Sequence, residues 1–538
     1  PYLPCPIMYP TLYARYVDLS QLEGLARGLA RLCSQGAVIT LSGELGAGKT
    51  TFARAFLQSL DDSLTDIPSP SFTLVQQYDT PQAEWLHADL YRLTSRDQAV
   101  GLGLVEQVAD KGLLLEWPDL LTDDLPANRL AITLNFADDA LTLRHVEFQL
   151  HGSYEKLFND LVQIIQSQCP QHSPAQRPQQ MQQFLQQHGW QDARAESMSD
   201  DASFRRYNRL FQGSDSVLLM DSPPPMEYVW KFAQVAQLLQ KIGLTVPAIH
   251  AVDDCHGLLL EQDFGDLTAT RFVQQGMADD AHTPRGAAAN TTEQRLAQVL
   301  SLGVQALIHL HQCWLATTNS PLANEDKAAI PPYCGYRMLS DVQIFLDWYL
   351  PAAGLPPADA ECQRLWHQAW TAVIAQQHCV PEVMILRDYR LDNLMILPKA
   401  GQDQLGLDNL GLLDFQDAMT APLTYDLISL LEDARQDFPP DVVARQVQAY
   451  LAAFPDISRA DFDQSWATVA AVRHTRILGV FARLWRRDDK PVYLVHLPRV
   501  WRQLSQALAH PANAPLAAWF DRYVPIGCRQ LSTNAAAA

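Results

Sequence analysis

The sequence has no run of about 18 apolar residues, so it predicts no membrane-spanning helix. Its nine cysteines include no Cys-x-x-Cys pair, which argues against a zinc site or a disulfide framework and favours reduced thiols. Basic residues are scarce: 40 Lys and Arg stand against 60 Asp and Glu, a formal net charge of -20. Such a chain is not expected to bind nucleic acid tightly by itself. No basic segment followed by an apolar stretch opens the sequence, so we expect no export signal and a cytoplasmic protein.

The composition is that of folded domains. Hydrophobic residues make up 48% and charged residues 19% of the 538 positions, which is ordinary for globular proteins. Between Gln166 and Gln183 the sequence becomes rich in Gln, Ser, Pro and His, a pattern typical of linkers. We therefore predict a first domain over residues 1–165, a linker with few buried contacts over 166–180, and a second part over 181–538.

The first part alternates between helical and strand patterns. Leucines spaced by three and four residues predict a helix from Ser20, which can cap it, to Gly36, which can end it. The apolar run 37–41 is typical of a buried parallel strand, and a second helix is expected from about Thr50. Helices alternating with buried strands predict an α/β domain.

The turn between this strand and the second helix matches the phosphate-binding pattern G-x-x-x-x-G-K-[ST]. In this pattern, glycines let backbone N–H groups face phosphate oxygens at the positive end of a helix dipole. Lys49 is expected to reach the outer phosphates of ATP, and the Thr50 hydroxyl to bind Mg²⁺. The predicted nucleotide-binding residues are Gly43, Glu44, Leu45, Gly46, Ala47, Gly48, Lys49, Thr50 and Thr51.

Three later segments indicate which family of P-loop proteins this domain resembles. They are SPSFTLV at 69–75, HADLYRL at 87–93 and LEWPD at 115–119. With the P-loop, their order and spacing resemble TsaE, the small ATPase of bacterial tRNA threonylcarbamoyladenosine modification, over residues 10–165.

The resemblance to TsaE implies an ATPase that supports turnover by tRNA-modifying threonylcarbamoyltransferase subunits. It implies that Asp89 and Glu116 lie near Mg²⁺ and the attacking water, and that residues 69–73 form a switch-like loop near the γ-phosphate. Ser71 stands where the family often has Thr, and it keeps the hydroxyl group.

A second ATP site is indicated by LRDYRLDN at 386–393, which has the Asp-x-x-x-x-Asn spacing of a kinase catalytic loop. About twenty residues later comes LLDFQD at 412–417. Phosphoryl transfer needs a carboxylate near the acceptor hydroxyl and oxygen ligands for Mg²⁺. Asp388 suits the first task, whereas Asn393 and Asp414 suit the second.

The nucleotide-binding lobe of this kinase is expected upstream. Residues 258–265 (LLLEQDFG) are typical of a strand entering a hinge, and we predict nucleotide contacts at Glu261 and Asp263. The segment 201–207 occupies the place of a phosphate-covering loop. The strand at 216–221 lacks the usual kinase lysine, so Arg205 or Arg206 is expected to supply the positive charge.

These motifs resemble the aminoglycoside phosphotransferase superfamily over residues 178–525. DASFRRY at 201–207, MDSPP at 220–224 and LLDFQDA at 412–418 look like the anomeric N-acetylmuramate/N-acetylglucosamine kinases (AmgK). The resemblance implies an α+β protein-kinase-like fold with a small lobe at about 195–265 and a large lobe at about 293–525. It also implies ATP-dependent phosphorylation of the anomeric hydroxyl of amino sugars recovered from the cell wall. That subfamily shares the missing lysine.

Three alternatives remain open from the sequence. The second part could phosphorylate an aminoglycoside or another small alcohol. It could be a pseudokinase that regulates the first part, although the intact Asp388, Asn393 and Asp414 argue against this. The first part could be a nucleotide switch with an unrelated partner, which the segments 87–93 and 115–119 argue against.

Overall fold

A computed structural model describes residues 11–122, 124–126, 128–138, 140–151, 155–198, 205–281, 291–317, 320–399, 405–529 and 531. The chain divides into two compact units. The first contains residues up to Trp230 together with Ile249–Glu261, and the second contains Lys231–Ala248 and the residues from Gln262 onward. Among the described residues, no helix is both long and apolar enough to span a membrane.

The first unit begins with a seven-stranded sheet and its helices, as the α/β pattern predicts. The strands are β1 (Leu12–Val17), β2 (Val38–Gly43), β3 (Val75–Asp79), β4 (Glu84–Asp89), β5 (Gly112–Glu116), β6 (Arg129–Phe136) and β7 (Arg144–His151). The helices are α1 (Leu19–Ala30), α2 (Lys49–Leu60), α3 (Arg96–Val100), α4 (Leu104–Gln107) and α5 (Glu155–Gln168). The strand order is β1-β7-β6-β2-β5-β4-β3, with β2 parallel to both β5 and β6.

The expected N-terminal boundary of α1 is wrong by two residues. Asp18, not Ser20, caps the helix: its carboxylate accepts a hydrogen bond from the backbone N–H of Gln21, and the Gln21 side chain accepts one from the N–H of Asp18. This reciprocal pair satisfies two N–H groups that the first turn leaves unpaired, so it outcompetes a Ser cap inside the turn.

A second, five-stranded sheet completes the first unit. After α6 (Arg177–Gln187) come β8 (Arg194–Ser197), β9 (Arg206–Gln212), β10 (Asp215–Asp221), β11 (Ile249–Asp253) and β12 (Leu258–Gln262). Helix α7 (Val229–Lys241), between β10 and β11 in the sequence, belongs almost entirely to the second unit. The order is β11-β12-β10-β9-β8. β9 and β10 pair antiparallel, with Arg206 opposite Asp221 and Gln212 opposite Asp215.

The segment expected to be a linker with few buried contacts is packed instead. Cys169, His172 and Gln180 are buried. His172 Nε2 accepts a hydrogen bond from the backbone N–H of Arg15 at 3.2 Å, and Gln171 donates to the carbonyl of Arg15 at 3.2 Å. Burial lowers the pKa of His172 to about 4, so the ring is neutral and can accept at neutral pH. A polar composition does not reveal side chains that bond to a distant strand, which is why the sequence suggested a linker.

Arg15 also contacts the turn between β11 and β12. Its guanidinium lies 2.5 Å from a carboxylate oxygen of Asp254, and both side chains are largely buried. Tyr228 donates a hydrogen bond to the carbonyl of Tyr13 at 2.8 Å and packs edge-on against its ring. The two sheets are therefore parts of one packed unit.

The second unit is mainly helical. Its helices are α8 (Ala269–Ala281), α9 (Thr291–Leu315), α10 (Asn324–Ala328), α11 (Gly335–Ile344), α12 (Leu350–Ala352), α13 (Ala360–Ile374), α14 (Thr424–Leu431), α15 (Pro440–Ala452), α16 (Arg459–Asp488), α17 (Leu497–Leu508) and α18 (Ala514–Tyr523). Its strands are β13 (Glu382–Ile385), β14 (Leu394–Ile396), β15 (Leu410–Leu412) and β16 (Met419–Pro422), paired as β13–β16 and β14–β15.

Replacing Arg15 by Met should destabilise the first unit by about 3 kcal/mol, because it leaves the Asp254 carboxylate buried without its cation. Native-state hydrogen exchange of β1 and of residues 249–261 measures the change. The matched control is Arg96→Met, which removes an ion pair with Asp124 whose arginine is 60% exposed. That control should cost less than about 0.5 kcal/mol. Equal effects of the two variants would contradict a packed contact between the sheets.

Candidate active sites

The first site forms where β2 meets α2. β2 is in the middle of its sheet, so its carboxyl end lies beside those of its two parallel neighbours. Gly43, Gly46 and Gly48 have φ of 116°, 84° and 111°, which favours glycine. A Cβ on Gly43 would lie 1.9 Å from the carbonyl oxygen of Leu134, so no larger residue fits there. The turn leads directly into the start of α2, where the helix dipole favours an anion.

Lys49 is the cation of this turn. Its Nζ donates hydrogen bonds to the carbonyl oxygens of Gly43 at 2.9 Å and Glu44 at 2.8 Å. It also lies 4.0 Å from the centroid of the Trp117 ring, a cation–π contact. Burial lowers the pKa of Lys49, while the nearby carboxylate of Glu116 opposes this change. These contacts hold the ammonium group at the phosphate-binding turn.

Thr50 and Glu116, predicted separately from the sequence, lie in contact. The Thr50 hydroxyl donates to Glu116 Oε2 at 3.0 Å. The other oxygen, Oε1, lies 2.9 Å from His87 Nε2, and both His87 and Glu116 are buried. Sequence reasoning did not assign a role to His87, although it lies in the segment 87–93; its position two residues before Asp89 on β4 places it beside Glu116.

Asp89 completes the acidic group. It pairs with Glu116 in the parallel register of β4 and β5, so both carboxylates are at the same edge of the sheet. One oxygen of Asp89 accepts the Ser71 hydroxyl, and the other accepts the backbone N–H of Tyr91 at 2.9 Å. The hydroxyl of Ser71, the residue that stands where the TsaE family often has Thr, therefore links the loop at 69–73 to the carboxylate of Asp89.

The oxygens of Thr50, Glu116 and Asp89 suit Mg²⁺, which prefers hydroxyl, carboxylate and water ligands. In the described part of the chain, no three His, Cys, Asp or Glu side chains are grouped so as to hold a metal ion. Magnesium in nucleotide sites takes several of its ligands from water and from the phosphates of the nucleotide.

The second site forms on the loop after β13. Asn393 donates from Nδ2 to the carbonyl oxygen of Asp388 at 2.8 Å and to its carboxylate at 3.1 Å. Arg390 Nε contacts the same carboxylate at 3.2 Å. Burial alone would raise the pKa of Asp388, but Arg390, Arg473 and the Asn393 amide lower it below its ordinary value. Asp388 is therefore ionised at neutral pH and able to accept a proton.

Asp414 lies next to this pair. β14 and β15 form a hairpin in which Leu394 is opposite Leu412, and Leu413 donates its N–H to the Asn393 carbonyl at 2.9 Å. Asp414 follows with φ of 57°, and its carboxylate accepts from Gln416 at 2.8 Å. The structure thus brings the catalytic-loop and DFQD segments together through the β14–β15 hairpin.

The catalytic loop is held in place by Asp426, on α14. Its buried carboxylate accepts the backbone N–H of Leu386 at 2.5 Å and that of Arg387 at 3.0 Å. Burial raises the pKa of Asp426 to about 7 despite these two donors. Asp426 therefore fixes the backbone of the loop that carries Asp388.

The residues predicted in the nucleotide lobe can each be described by their own contacts. Arg205 Nε lies 3.6 Å from Glu227 Oε2, and Arg206 is opposite Asp221 in the β9–β10 register. Glu261 is buried in β12. Asp263, just beyond that strand, accepts the N–H of Gly265 at 2.9 Å. Residues 201–204 of the expected phosphate-covering loop lie outside the described residues. Nucleotide binding by these residues stays a prediction.

Comparison with known proteins identifies both parts. The model of the family "Threonylcarbamoyl adenosine biosynthesis protein TsaE" matches residues 17–145, and that of the "Phosphotransferase enzyme family" (APH) matches residues 194–463. The N-acetylmuramate/N-acetylglucosamine kinase of Caulobacter vibrioides is 31% identical over 376 residues, covering 64% of this chain and 96% of that protein. The TsaE protein of Bacillus subtilis is 35% identical over 149 residues, covering 27% of this chain and 91% of that protein.

The chain belongs to both families. A second relative with the kinase name, from Pseudomonas aeruginosa, is 32% identical over 317 residues and is covered to 82% of its length. The predicted fold class is confirmed: a TsaE-type P-loop fold precedes a phosphotransferase fold of the protein-kinase-like type. The fusion of the two is also confirmed, and both families are enzymes that use ATP.

Lys49→Ala should abolish ATP hydrolysis measured without any sugar, because the variant removes the cation of the P-loop. Phosphorylation of a sugar by the same protein should be nearly unchanged, since Asp388 and its neighbours do not include Lys49. Lys111→Ala is the matched control, because Lys111 forms a surface ion pair with Glu84 in the same domain. Hydrolysis that survives in Lys49→Ala would contradict the assignment of the P-loop.

Proposed function

We propose that the chain carries two separate ATP-dependent activities. The N-terminal part is an ATP hydrolase that supports tRNA threonylcarbamoyladenosine modification. The C-terminal part transfers the γ-phosphoryl group of ATP to the anomeric hydroxyl of N-acetylmuramate or N-acetylglucosamine, as in cell-wall recycling. The kinase proposal is best supported by the contact of Asp388 with Asn393, beside Asp414, in a chain that belongs to the phosphotransferase family.

In the kinase reaction, Asp388 orients the anomeric hydroxyl and accepts its proton. The sugar oxygen forms a bond to the γ-phosphorus as the bond to the β–γ bridging oxygen breaks, and ADP leaves. The low pKa of Asp388 keeps the acceptor carboxylate ionised. Arg390 holds that carboxylate in position, so the step depends on alignment more than on a strong base.

Asn393 and Asp414 are the proposed magnesium ligands of the kinase, while Thr50, Glu116 and Asp89 are those of the ATPase. When bound, Mg²⁺ supplies positive charge to the phosphate oxygens. We also propose that Arg205 or Arg206 takes the place of the missing kinase lysine, and that Glu261 and Asp263 lie at the adenine end of the site.

The N-terminal part is proposed to act with tRNA-modifying threonylcarbamoyltransferase subunits. The contact between Ser71 and Asp89 supports this proposal, because a loop bonded to a residue of the ATPase site can change conformation when ATP is hydrolysed there. With the net charge of -20, the partner subunits are expected to hold most of the tRNA.

We propose the domain boundaries as residues 1–165 for the ATPase and 181–538 for the kinase, with 166–180 between them. The lobes of the kinase would then be about 195–265 and 293–525. Residues 169–180 are packed, so this connection is not the exposed linker that the composition suggested, but we propose the same position for it in the sequence.

The alternatives are less well supported. The two relatives that match the C-terminal part are named as amino-sugar kinases, whereas an aminoglycoside or small-alcohol substrate is supported by the superfamily alone. A pseudokinase is disfavoured because Asp388, Asn393 and Asp414 are all present and Asn393 is in contact with Asp388.

Asp388→Asn should lower sugar phosphorylation by about 10²-fold or more, because it removes the proton acceptor and its charge. ADP binding should persist. The assay is phosphorus NMR of the product formed from ATP and N-acetylglucosamine or N-acetylmuramate, which should carry its phosphate on the anomeric oxygen. The corresponding methyl glycosides, blocked at that oxygen, should not react.

Asp408→Asn is the matched control for this variant. The carboxylate of Asp408 pairs with Lys399 at the surface. Its replacement is expected to leave sugar phosphorylation unchanged. Phosphate on the 6-hydroxyl, or phosphorylation of an aminoglycoside without any amino-sugar activity, would place the kinase in another branch of the superfamily.

ATP hydrolysis by the N-terminal site should be slow alone and faster when the transferase subunits are added. Retention of labelled tRNA by this chain should be weak and should not depend strongly on salt, since few phosphate contacts are expected. Tight tRNA binding that weakens steeply between low and moderate salt would contradict the proposed division of labour.

A further inference from the structure

Helix α16 carries a row of arginines that begins near the catalytic carboxylate. Arg473 lowers the pKa of Asp388 and donates to Ser429 Oγ at 3.0 Å. Arg476 and Arg483 follow at spacings of three and seven residues, which keeps all three on the same side of a helix. At 1.5 Å per residue, the row extends about 15 Å along the helix axis.

Around Arg476 the positive charges outnumber the negative ones. Arg387 and Arg476 both contact Asp341 Oδ2, at 2.8 Å and 3.3 Å, and the Tyr333 hydroxyl donates to the same oxygen at 2.7 Å. Arg337 also acts on this carboxylate, and Asp417 acts on Arg387. The side chain of Arg476 is 35% exposed, so an external anion can reach it.

Arg483 adds a further cation. Its Nε is buried and has no hydrogen-bond partner among the described residues. Burial, with Arg487 and Arg476 nearby, lowers the pKa of Arg483 to about 10, so the group remains charged at neutral pH. A buried donor without an acceptor is costly unless a ligand completes it.

The two proposed sugars differ by one group. N-acetylmuramate carries a lactyl ether with a carboxylate at its 3-oxygen, where N-acetylglucosamine has a hydroxyl. In the proposed reaction the anomeric hydroxyl lies at Asp388, and the lactyl group is attached two ring carbons away from the anomeric carbon. A planar guanidinium binds a carboxylate through two parallel hydrogen bonds.

We propose that Arg476 and Arg483 form the subsite for the lactyl carboxylate of N-acetylmuramate. This inference rests on the proposed sugar-kinase function. These arginines then favour N-acetylmuramate over N-acetylglucosamine, because only N-acetylmuramate has a carboxylate that they can bind.

Arg483→Gln is the decisive variant, because its Nε has no bond to another described residue that the change could break. It should lower kcat/KM for N-acetylmuramate about 10- to 100-fold, mainly through KM, the range expected for a charged hydrogen bond. The value for N-acetylglucosamine should change by less than about twofold. The methyl ester of N-acetylmuramate, which lacks the charge, should react equally well with the wild-type protein and the variant.

Arg487→Gln is the matched control, one helical turn further along and paired with Asp488 at the surface. It should leave the preference between the two sugars unchanged. Arg483→Lys should restore part of the preference for N-acetylmuramate, because it restores the charge without the planar fork.

Calorimetric binding of each sugar to the full chain with ADP separates this subsite from the kinase proposal. Carboxylate-dependent binding that is lost in Arg483→Gln supports the subsite even if neither sugar is phosphorylated. Equal losses for the two sugars, or no loss for N-acetylmuramate, would overturn it and assign Arg483 to the nucleotide site or to the fold.

Discussion

A carboxylate placed directly after a buried strand is the arrangement on which both sites depend. Asp89 and Glu116 end two adjacent parallel strands, and their register holds them at one edge. In the second unit, Asp388 lies three residues after β13 and Asp414 two residues after β15, both of them short and mostly buried strands. Because the strands are fixed by the core, these carboxylates are positioned by backbone geometry before any ligand arrives. The placement is costly for Asp89 and Glu116, which are withdrawn from water, whereas the Asp388 side chain is 46% exposed.

The surrounding residues offset that cost with hydrogen bonds. Glu116 is shared between a threonine hydroxyl and His87, and Asp388 between Arg390 and an amide. Asp426 differs, because it faces backbone N–H groups and not the reaction. Burial pushes its pKa up to about 7, and its role is to hold the catalytic loop. The reactive carboxylate and the positioning carboxylate are thus distinguished by what they face.

Local patterns in the sequence were sufficient for the P-loop, the buried strands and the pairing of the catalytic loop with Asp414. These features depend on residues that are close together in the sequence, so the spacing of those residues is enough to predict their structure. The packed segment at 169–180 could not be predicted, because His172 acts by accepting a bond from a strand more than 150 residues earlier. His87, Arg390 and the arginine row were missed for a similar reason: each acts through a neighbour that only the fold supplies.

One chain therefore contains two phosphate-binding solutions, a glycine turn with one lysine and a catalytic loop that uses aspartates and an amide. They share no residues, so each site is expected to bind its own nucleotide. Native mass spectrometry of the full chain with magnesium and a non-hydrolysable ATP analogue tests this claim most directly. Two analogues per chain at saturation, falling to one in Lys49→Ala, are the predicted result. A single analogue per chain, lost altogether in that variant, would contradict it.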